Sequence, residues 1–221
     1  MTAHQDHRDS RLGRTVRDAV GKFDEYRTFL TSAVHNPRMM GAATPTSPAV
    51  AAVVSQVVPT TGEPVVVELG PGTGSLSDGI HRRLPPGARH LGVELGAELA
   101  THLRRNKPWL EVVNGDAGEL TALLADRGVE RVDAVISSIP WSLIDDAGQR
   151  RILDQAVEVL VPHGAFTALT YLPASRSVGG KRFRELLGGT FDEVLTSVTW
   201  LNAPPILHYI CRRPLRPQEK P

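Results

Sequence analysis

An acidic residue followed by three alternating glycines is the first feature of this chain that could take part in chemistry. The apolar run 65–67 leads into Glu68, and Gly70, Gly72 and Gly74 follow. Because glycine has no side chain, the backbone of such a turn can approach a ligand closely. A carboxylate beside the turn would repel a pyrophosphate and attract an ammonium group. The stretch therefore predicts a binding turn for a ligand that carries a positively charged amine.

Two further acids stand at the ends of the next two apolar runs. Glu94 closes HLGVEL (90–95), about 20 residues downstream, where doubly wound folds place a carboxylate on two ribose hydroxyls. Asp116 follows the third run, where it can accept a hydrogen bond from an exocyclic adenine amine. Taken singly, each acid could be an exposed strand end or a helix cap. Together, the three acids suit the amine, the sugar and the base of an adenosyl amino acid.

Strand-like and helix-like patterns alternate from residue 63 onward, which indicates a mostly parallel sheet with helices on both faces. The predicted strands are 64–69, 89–94, 109–114, 131–137, 164–171, 192–200 and 206–212. The predicted helices are 74–84, 96–106, 118–126, 146–160 and 177–188, after a first helix that Thr46 or Ser47 caps and that runs to about Val58. The last two strands are joined by a short connection, so the C-terminal strand should be antiparallel. The fold class is α/β: a Rossmann-like, seven-stranded sheet with an N-terminal helical extension.

Composition limits the other classes of protein that the chain could represent. It has 221 residues, 41% of them hydrophobic, a formal net charge of +1 and one cysteine. A near-neutral charge does not favour a nucleic-acid partner, and we interpret Cys211, in an apolar strand, as structural. No apolar run is as long as the roughly 18 residues that a membrane span needs, and the N-terminus has no secretory signal. The expected location is cytoplasmic, with possible peripheral contact at the inner face of the membrane.

The glycine turn and its acids resemble those of the class I S-adenosylmethionine-dependent methyltransferases. ExGxGxG at 68–74, the acid at 94 and the aspartate at 116 stand in that family's order and spacing. The resemblance implies S-adenosylmethionine as cofactor and S-adenosylhomocysteine as product, over a domain of residues 46–221. A nicotinamide-binding Rossmann domain fits less well because of Glu68 and the terminal hairpin. The implied cofactor-binding residues are Glu68, Gly70, Gly72, Thr73, Gly74, Glu94, Leu95, Asp116, Ala117 and Ser137.

The loop after the fourth predicted strand, SIPW at 138–141, fits the outline that amine-methylating members of this fold carry beside the transferred methyl. The adenine-methylating version begins with Asn or Asp, whereas this loop begins with Ser138. The predicted catalytic residues are Ser138, Tyr26 and Tyr171, and the predicted substrate-binding residues are Pro140, Trp141 and Met40; His35 and His208 are further candidate proton acceptors. Trp141, Tyr171 and Tyr26 could line a cage for a methylated ammonium. Alternatively, Trp141 packs beneath the loop and Tyr171 only ends a strand. No metal-ligand spacing is present.

Residues outside the cofactor motif are similar to those of the bacterial phospholipid N-methyltransferases. The resemblance rests on NPRMMGAATPTSP (36–48), FTALTY (166–171) and NAPP (202–205), with a basic amphipathic helix over 12–34. It implies methylation of a phosphatidylethanolamine-type headgroup by a protein that contacts an anionic membrane surface through residues 12–34. This helix and a lid-like loop make up the N-terminal segment 1–45. A soluble methyltransferase of a natural-product amine or hydroxyl is the main alternative, and a ribosomal-RNA methyltransferase is a weaker one. The oligomeric state is left open.

Overall fold

The computed structural model describes residues 47–215, which fold around one seven-stranded sheet. The strands are β1 Val65–Leu69, β2 Arg89–Glu94, β3 Glu111–Asn114, β4 Val132–Ser137, β5 Leu160–Tyr171, β6 Phe191–Thr199 and β7 Ile206–Pro214. The helices are α1 Pro48–Val54, α2 Ser77–His81, α3 Ala97–Asn106, α4 Leu120–Ala125, α5 Asp146–Val159 and α6 Val178–Gly188.

The strands lie in the order β3-β2-β1-β4-β5-β7-β6. Neighbours among β1 to β5 pair in parallel, while β7 is antiparallel to both β5 and β6. The predicted fold, with its antiparallel C-terminal strand, is thereby confirmed. Because β6 runs in the same direction as β1 to β5, the carboxyl ends of six strands meet at one edge of the sheet. We call this the carboxyl edge.

The core lies on both faces of the sheet because successive strand residues point to opposite sides. On one face, Val66 and Ile136 pack with α1 and α2 through a cluster that includes Val54 and Ile80. On the other face a larger cluster contains residues of β1 to β5 and β7 together with residues of α4, α5 and α6. Helices therefore cover both faces, as the alternating pattern predicts.

The first described helix begins as the sequence predicts and ends earlier. The Ser47 hydroxyl accepts a hydrogen bond from the Val50 N–H at 3.4 Å, and Pro48 stands in the first turn. The predicted end near Val58 is wrong, because the helix ends at Val54 and a 3₁₀ turn follows over Ser55–Val57.

Element ends elsewhere differ from prediction by a few residues. The helix expected over 74–84 is only Ser77–His81. It cannot include Gly74, whose positive φ of 82° is incompatible with a right-handed helix. Strand β5 begins at Leu160 instead of 164, since Leu160 pairs with Val132 ahead of an irregularity in the β4–β5 ladder.

Several predictions lie outside the described residues. They are the helix over 12–34, the segment 1–45, and the site residues Tyr26, His35 and Met40, so the domain boundary at 45/46 also stays a prediction. Among residues 47–215, no helix is long and apolar enough to cross a membrane. Cys211 is buried in β7, and burial raises its pKa to about 12, which confirms a structural thiol.

Candidate functional site

The glycine turn leaves β1 at the carboxyl edge in a conformation that side chains disfavour. Gly70, Gly72 and Gly74 have φ values of 70°, 59° and 82°, all in the left-handed region that glycine enters without steric cost. A Cβ at Gly70 would lie 2.7 Å from Cγ2 of Ile139, and one at Gly74 would lie 3.0 Å from Cδ2 of Leu103. Packing therefore also disfavours a side chain at Gly70, whereas at Gly74 the side chain of Leu103 would have to move by a few tenths of an ångström.

Gly72 differs from its neighbours because no residue of the described range 47–215 occupies the space that its side chain would fill. The nearest atom to a Cβ built there is the Gly70 carbonyl oxygen, at 4.0 Å. The turn is thus closed by packing at both ends and open at its centre. Gly72 is the point where a ligand could approach the backbone most closely.

The Glu94 carboxylate is hydrogen-bonded to the open centre of the turn. Its Oε2 accepts the Gly72 N–H at 3.0 Å, and its Oε1 accepts the Gly96 N–H at 2.8 Å. Burial raises the pKa of Glu94; the hydrogen bonds from Gly96 and Gly72 oppose that shift, and the nearby charge of Glu68 adds to it. Sequence reasoning located this residue and did not foresee that it ties β2 to the glycine turn.

Glu68 lies deeper than the sequence suggests. The side chain is fully buried, its Oε2 accepts the Ser77 hydroxyl at 2.6 Å, and Nε2 of His90 lies 3.4 Å from the same oxygen. Among the described residues, Oε1 of Glu68 has no hydrogen-bond partner. Oε1 is therefore the Glu68 oxygen that would accept a hydrogen bond from a cofactor ammonium.

Sequence reasoning missed both partners of Glu68. His90 pairs with Val66 in the β1–β2 ladder, and Glu68 pairs with Gly92, so Glu68 and His90 lie on the same face one step apart. The period-two pattern of the two strands could have indicated this pair. Ser77 is contributed by α2, whose position the strand pattern does not specify.

Asp116 follows β3 at the same edge and has two partners. Its Oδ1 accepts the Gly118 N–H at 2.9 Å, and its Oδ2 pairs with the Arg151 guanidinium of α5 at 2.9 Å. A Cβ at Gly118 would overlap that guanidinium, so glycine makes room for the ion pair. The helix-cap interpretation of Asp116 is confirmed, and its contact with adenine stays a prediction. Arg151 could not be found from its sequence position.

The predicted cofactor residues that flank these acids line the same edge. Leu95 is half-buried and its carbonyl accepts from the Asn114 amide at 3.1 Å, while Ala117 is buried in the 3₁₀ turn that Asp116 caps. Thr73 is exposed, and its hydroxyl lies 3.3 Å from that of Ser75. The structure brings all of these residues to the carboxyl ends of β1, β2 and β3.

The loop after β4 joins the glycine turn through Ser138. Its hydroxyl donates to the Gly70 carbonyl at 2.6 Å, and its N–H donates to the Leu69 carbonyl at 3.0 Å. Ser138 thus connects the fourth strand to the first at the point where the strand order reverses, the usual ligand crevice of open α/β sheets. Pro140 is half-buried in the same loop.

Trp141 lies in the core, which corrects the prediction that its ring faces a substrate. The ring is fully buried and stacks on Phe183 at a centroid distance of 4.2 Å, with Phe166 edge-on at 6.1 Å. Its indole N–H donates to the Ser137 hydroxyl at 2.9 Å. The alternative interpretation, packing beneath the loop, is confirmed. Because the Ser137 hydroxyl accepts the indole N–H, Ser137 would contact a cofactor through its backbone.

Two of the candidate proton acceptors lie in the described residues, and burial affects both. Tyr171 is half-buried at the end of β5, and burial raises its pKa. His208 is fully buried in β7, with Nε2 placed 2.9 Å from the Thr199 hydroxyl, and burial lowers its pKa to about 4. His208 therefore has the surroundings of a structural histidine.

Comparison with known proteins agrees with this geometry. The family model of a methyltransferase domain matches residues 66–164. An ornithine lipid N-methyltransferase of Singulisphaera acidiphila is 32% identical over 196 residues, which cover 87% of this chain and 93% of that protein.

Solved structures share the fold at low sequence identity. An O-methyltransferase from Bacillus cereus in complex with SAH has a TM-score of 0.62 at 16% identity, covering 91% of this chain and 97% of that one. TrmN from Thermus thermophilus has a TM-score of 0.60 at 18% identity and covers 80% of this chain, which spans 52% of TrmN. The cofactor of this chain is S-adenosylmethionine. The sheet order, the glycine turn and the Singulisphaera relative together show that the chain belongs to the class I S-adenosylmethionine-dependent methyltransferases.

Proposed function

We propose that this protein methylates the amine of a membrane lipid. The proposal rests on the Singulisphaera relative, which is named for an ornithine lipid and matches 87% of this chain at 32% identity. The phosphatidylethanolamine type of acceptor, implied by the sequence resemblance, presents the same chemical group, an alkyl amine attached to an acyl lipid. The acceptor class proposed is therefore a lipid with a methylatable amine.

The residues present at the first three strands fit S-adenosylmethionine. Gly72 leaves open space beside the backbone, and a carboxylate such as Glu94 or Asp116 has more acceptor sites than its present partners use. Glu94 would hold the ribose, Asp116 the adenine amine, and Oε1 of Glu68 the ammonium. When bound, the cofactor supplies a sulfonium methyl that is already electrophilic.

Ser138 is the residue that we assign to the acceptor amine. Its hydroxyl proton is directed to the Gly70 carbonyl, so the lone pairs of its oxygen can accept a hydrogen bond from an amine N–H. The same contact fixes Ser138 against the glycine turn, which places an amine bound there next to the cofactor. Such positioning can contribute several kcal/mol, up to about 7–11 in well-oriented systems.

The amine must lose a proton before it can attack, since an alkyl ammonium has a pKa of about 10. Tyr171 is poorly suited to take this proton as a phenolate, because burial raises its pKa and keeps it neutral near pH 7. His208 is fully buried on β7, beside the Thr199 hydroxyl of β6. Tyr26 and His35 stay as proposals for this role.

The proposal is tested with purified full-length protein and labelled S-adenosylmethionine. Ornithine lipid and phosphatidylethanolamine are presented separately in mixed micelles, beside free ornithine and ethanolamine as soluble amines. We expect labelled lipid from at least one of the two lipids and little from the soluble amines. Methylation of a soluble amine alone, or of no lipid under any presentation, would refute a lipid acceptor.

A variant of Ser138 tests its assigned role. Ser138→Ala should lower the rate with the lipid about tenfold, the value of one hydrogen bond of roughly 1.4 kcal/mol. Cofactor affinity in calorimetry should fall less, because the Ser138 N–H still donates to the Leu69 carbonyl when the hydroxyl contact with Gly70 is lost. Ser142→Ala, in the same loop, is the matched control and should change neither quantity. Equal lipid rates in both variants would remove Ser138 from the mechanism.

A further inference from the structure

Four exposed apolar side chains follow the carboxyl ends of strands at one half of the carboxyl edge, three of them in loops and one at the first residue of α6. They are Leu143, Val178, Trp200 and Leu201, with exposed fractions of 56%, 75%, 71% and 82%, and we call them the apolar rim. In residues 47–215 the other large exposed apolar side chain is Leu195, in the middle of β6. Exposure of large apolar groups is thus concentrated at this edge.

The sheet topology brings the rim residues to the same side of the molecule. Leu143 follows β4, Val178 follows β5, and the Trp200–Leu201 pair follows β6, whose carboxyl end lies at the same edge. Strands β4, β5, β7 and β6 are consecutive in the sheet. With neighbouring strands about 4.8 Å apart, the rim extends over roughly 15 Å.

Contacts between these loops hold the rim together. The Gln149 amide donates to the carbonyls of Trp141 at 2.6 Å and Gly179 at 3.1 Å, which fastens the first turn of α6 to the loop after β4. The Leu172 N–H donates to the Pro205 carbonyl at 2.8 Å, which joins the loop after β5 to the β6–β7 connection. The rim residues therefore lie on segments, namely two loops and the start of α6, that are joined by hydrogen bonds either directly or through the loop after β5.

The charges beside the rim favour an anionic surface. Arg176 and Lys181 flank Val178 and are exposed, and neither forms an ion pair with another residue of the described chain. Of the nearby acids, Asp145 caps α5 through the Gly148 N–H and Asp146 pairs with Arg150 at 3.4 Å, while Glu185 is exposed one turn after Lys181.

We propose that the apolar rim docks the protein on an anionic lipid membrane, an inference that rests on the proposed lipid acceptor. A tryptophan next to a leucine at an exposed tip, with cations beside it, has the amphipathic composition that favours the membrane interface. Ser138 and Leu143 belong to the same loop after β4. A headgroup in the docked bilayer would thus face the loop that we assign to the amine.

Vesicle flotation of the full-length protein tests the rim. The vesicles contain phosphatidylglycerol and phosphatidylcholine and no methylatable amine, so docking is measured independently of catalysis. The double variant W200S/L201S should lose at least about tenfold in apparent affinity, as expected from removing two large apolar groups from the interface. Leu195→Ser, an exposed apolar residue away from the rim, is the matched control and should bind like wild type.

The cations give a second, separable effect. R176Q/K181Q should weaken binding to the anionic vesicles several-fold, leave the weak binding to pure phosphatidylcholine unchanged and reduce the dependence on salt. Calorimetry with the cofactor should give wild-type affinity for all of these variants, which shows that the fold is intact.

Two outcomes would overturn the docking proposal. Wild-type vesicle binding by W200S/L201S would place membrane binding elsewhere, for example in residues 12–34. If the wild type forms a dimer in the absence of vesicles and W200S/L201S is a monomer under the same conditions, the rim binds a second copy of the chain. A protein that docks through the rim and yet methylates no lipid would refute the proposed function alone.

Discussion

The two halves of the carboxyl edge differ in what their strands end in. Strands β1, β2 and β3 lead to three carboxylates, Glu68, Glu94 and Asp116, and to a turn that is tied by backbone N–H groups. Strands β4, β5 and β6 lead to loops that bury Trp141 and expose the apolar rim. We call these the cofactor half and the acceptor half.

The difference shows that the two halves are shaped by different interactions. In the cofactor half the position of the backbone is decisive, and a methyl group at Gly70 is already too large. In the acceptor half the loops pack against aromatic side chains that contact one another, and the size of those rings determines the position of the loops. Substitutions should therefore act through backbone conformation in one half and through packing in the other.

Removal of the Trp141 ring should have the largest effect. Trp141→Ala leaves a cavity beside Phe183 and an unpaired Ser137 hydroxyl, so we expect unfolding free energy to fall by about 3–5 kcal/mol in chemical denaturation. Trp141→Phe keeps an aromatic ring and loses the indole hydrogen bond, at a cost of about 1 kcal/mol. Wild-type stability of Trp141→Ala with a raised KM for the acceptor alone would return the ring to the substrate site.

Two glycines separate conformation from packing in the cofactor half. Gly70→Ala adds a left-handed alanine, which costs about 1–2 kcal/mol, and a clash with Ile139, for a total of about 2–4 kcal/mol. Gly72→Ala has the same backbone cost without a clash, so it should lose only about 1–2 kcal/mol of stability. Its larger effect should be on cofactor affinity in calorimetry. Equal stability losses would contradict the packing difference between the two glycines.

The existence of the strands and the antiparallel end of the sheet were predictable because local sequence patterns indicate both. Apolar runs such as 65–67 predict β1, and the short connection before Ile206 requires an antiparallel pair. Element ends were less predictable, because Leu160 is recruited into β5 by pairing with Val132, a residue far away in sequence.

A site residue was predictable where its type and spacing in the sequence have only one structural explanation. The alternating glycines have such an explanation, and their positive φ values agree with it. Arg151, His90 and Ser77 were not predictable, since each contacts an acid only through the packing of another element. Trp141 was ambiguous in sequence because an aromatic residue after a strand suits a cage and a core equally well.

Acid should destabilise the acceptor half through His208. Its folded pKa of about 4 lies below the ordinary histidine value of 6.5, so the unfolded chain binds a proton that the folded chain does not bind. Stability is therefore full above pH 6.5 and falls as the pH decreases towards 4, by about 2 kcal/mol at pH 5. Denaturation of wild type and His208→Gln at pH 7.5 and 5 checks this. An unchanged pH slope in the variant would mean that other groups cause the loss.

The cofactor half should respond to pH in the opposite direction, through Glu94. Burial raises its folded pKa above the unfolded value, so the folded state prefers the protonated acid, and stability falls as pH rises through the folded pKa. Glu94→Gln removes this dependence and should differ from wild type by only about 1 kcal/mol, because the amide keeps one of the two acceptor contacts, with Gly72 or Gly96.

The measurement is the difference in unfolding free energy between wild type and Glu94→Gln across pH 4–7, with Glu130→Gln, an exposed acid just before β4, as control. We expect the unfolding free energy of the wild type to fall relative to that of Glu94→Gln as the pH rises. Cofactor affinity should be weaker in Glu94→Gln at every pH. A difference that grows in favour of the wild type would mean that the contacts to Gly72 and Gly96 outweigh burial. The backbone of the turn would then depend on a charged carboxylate, which makes the contrast with the packed acceptor half sharper.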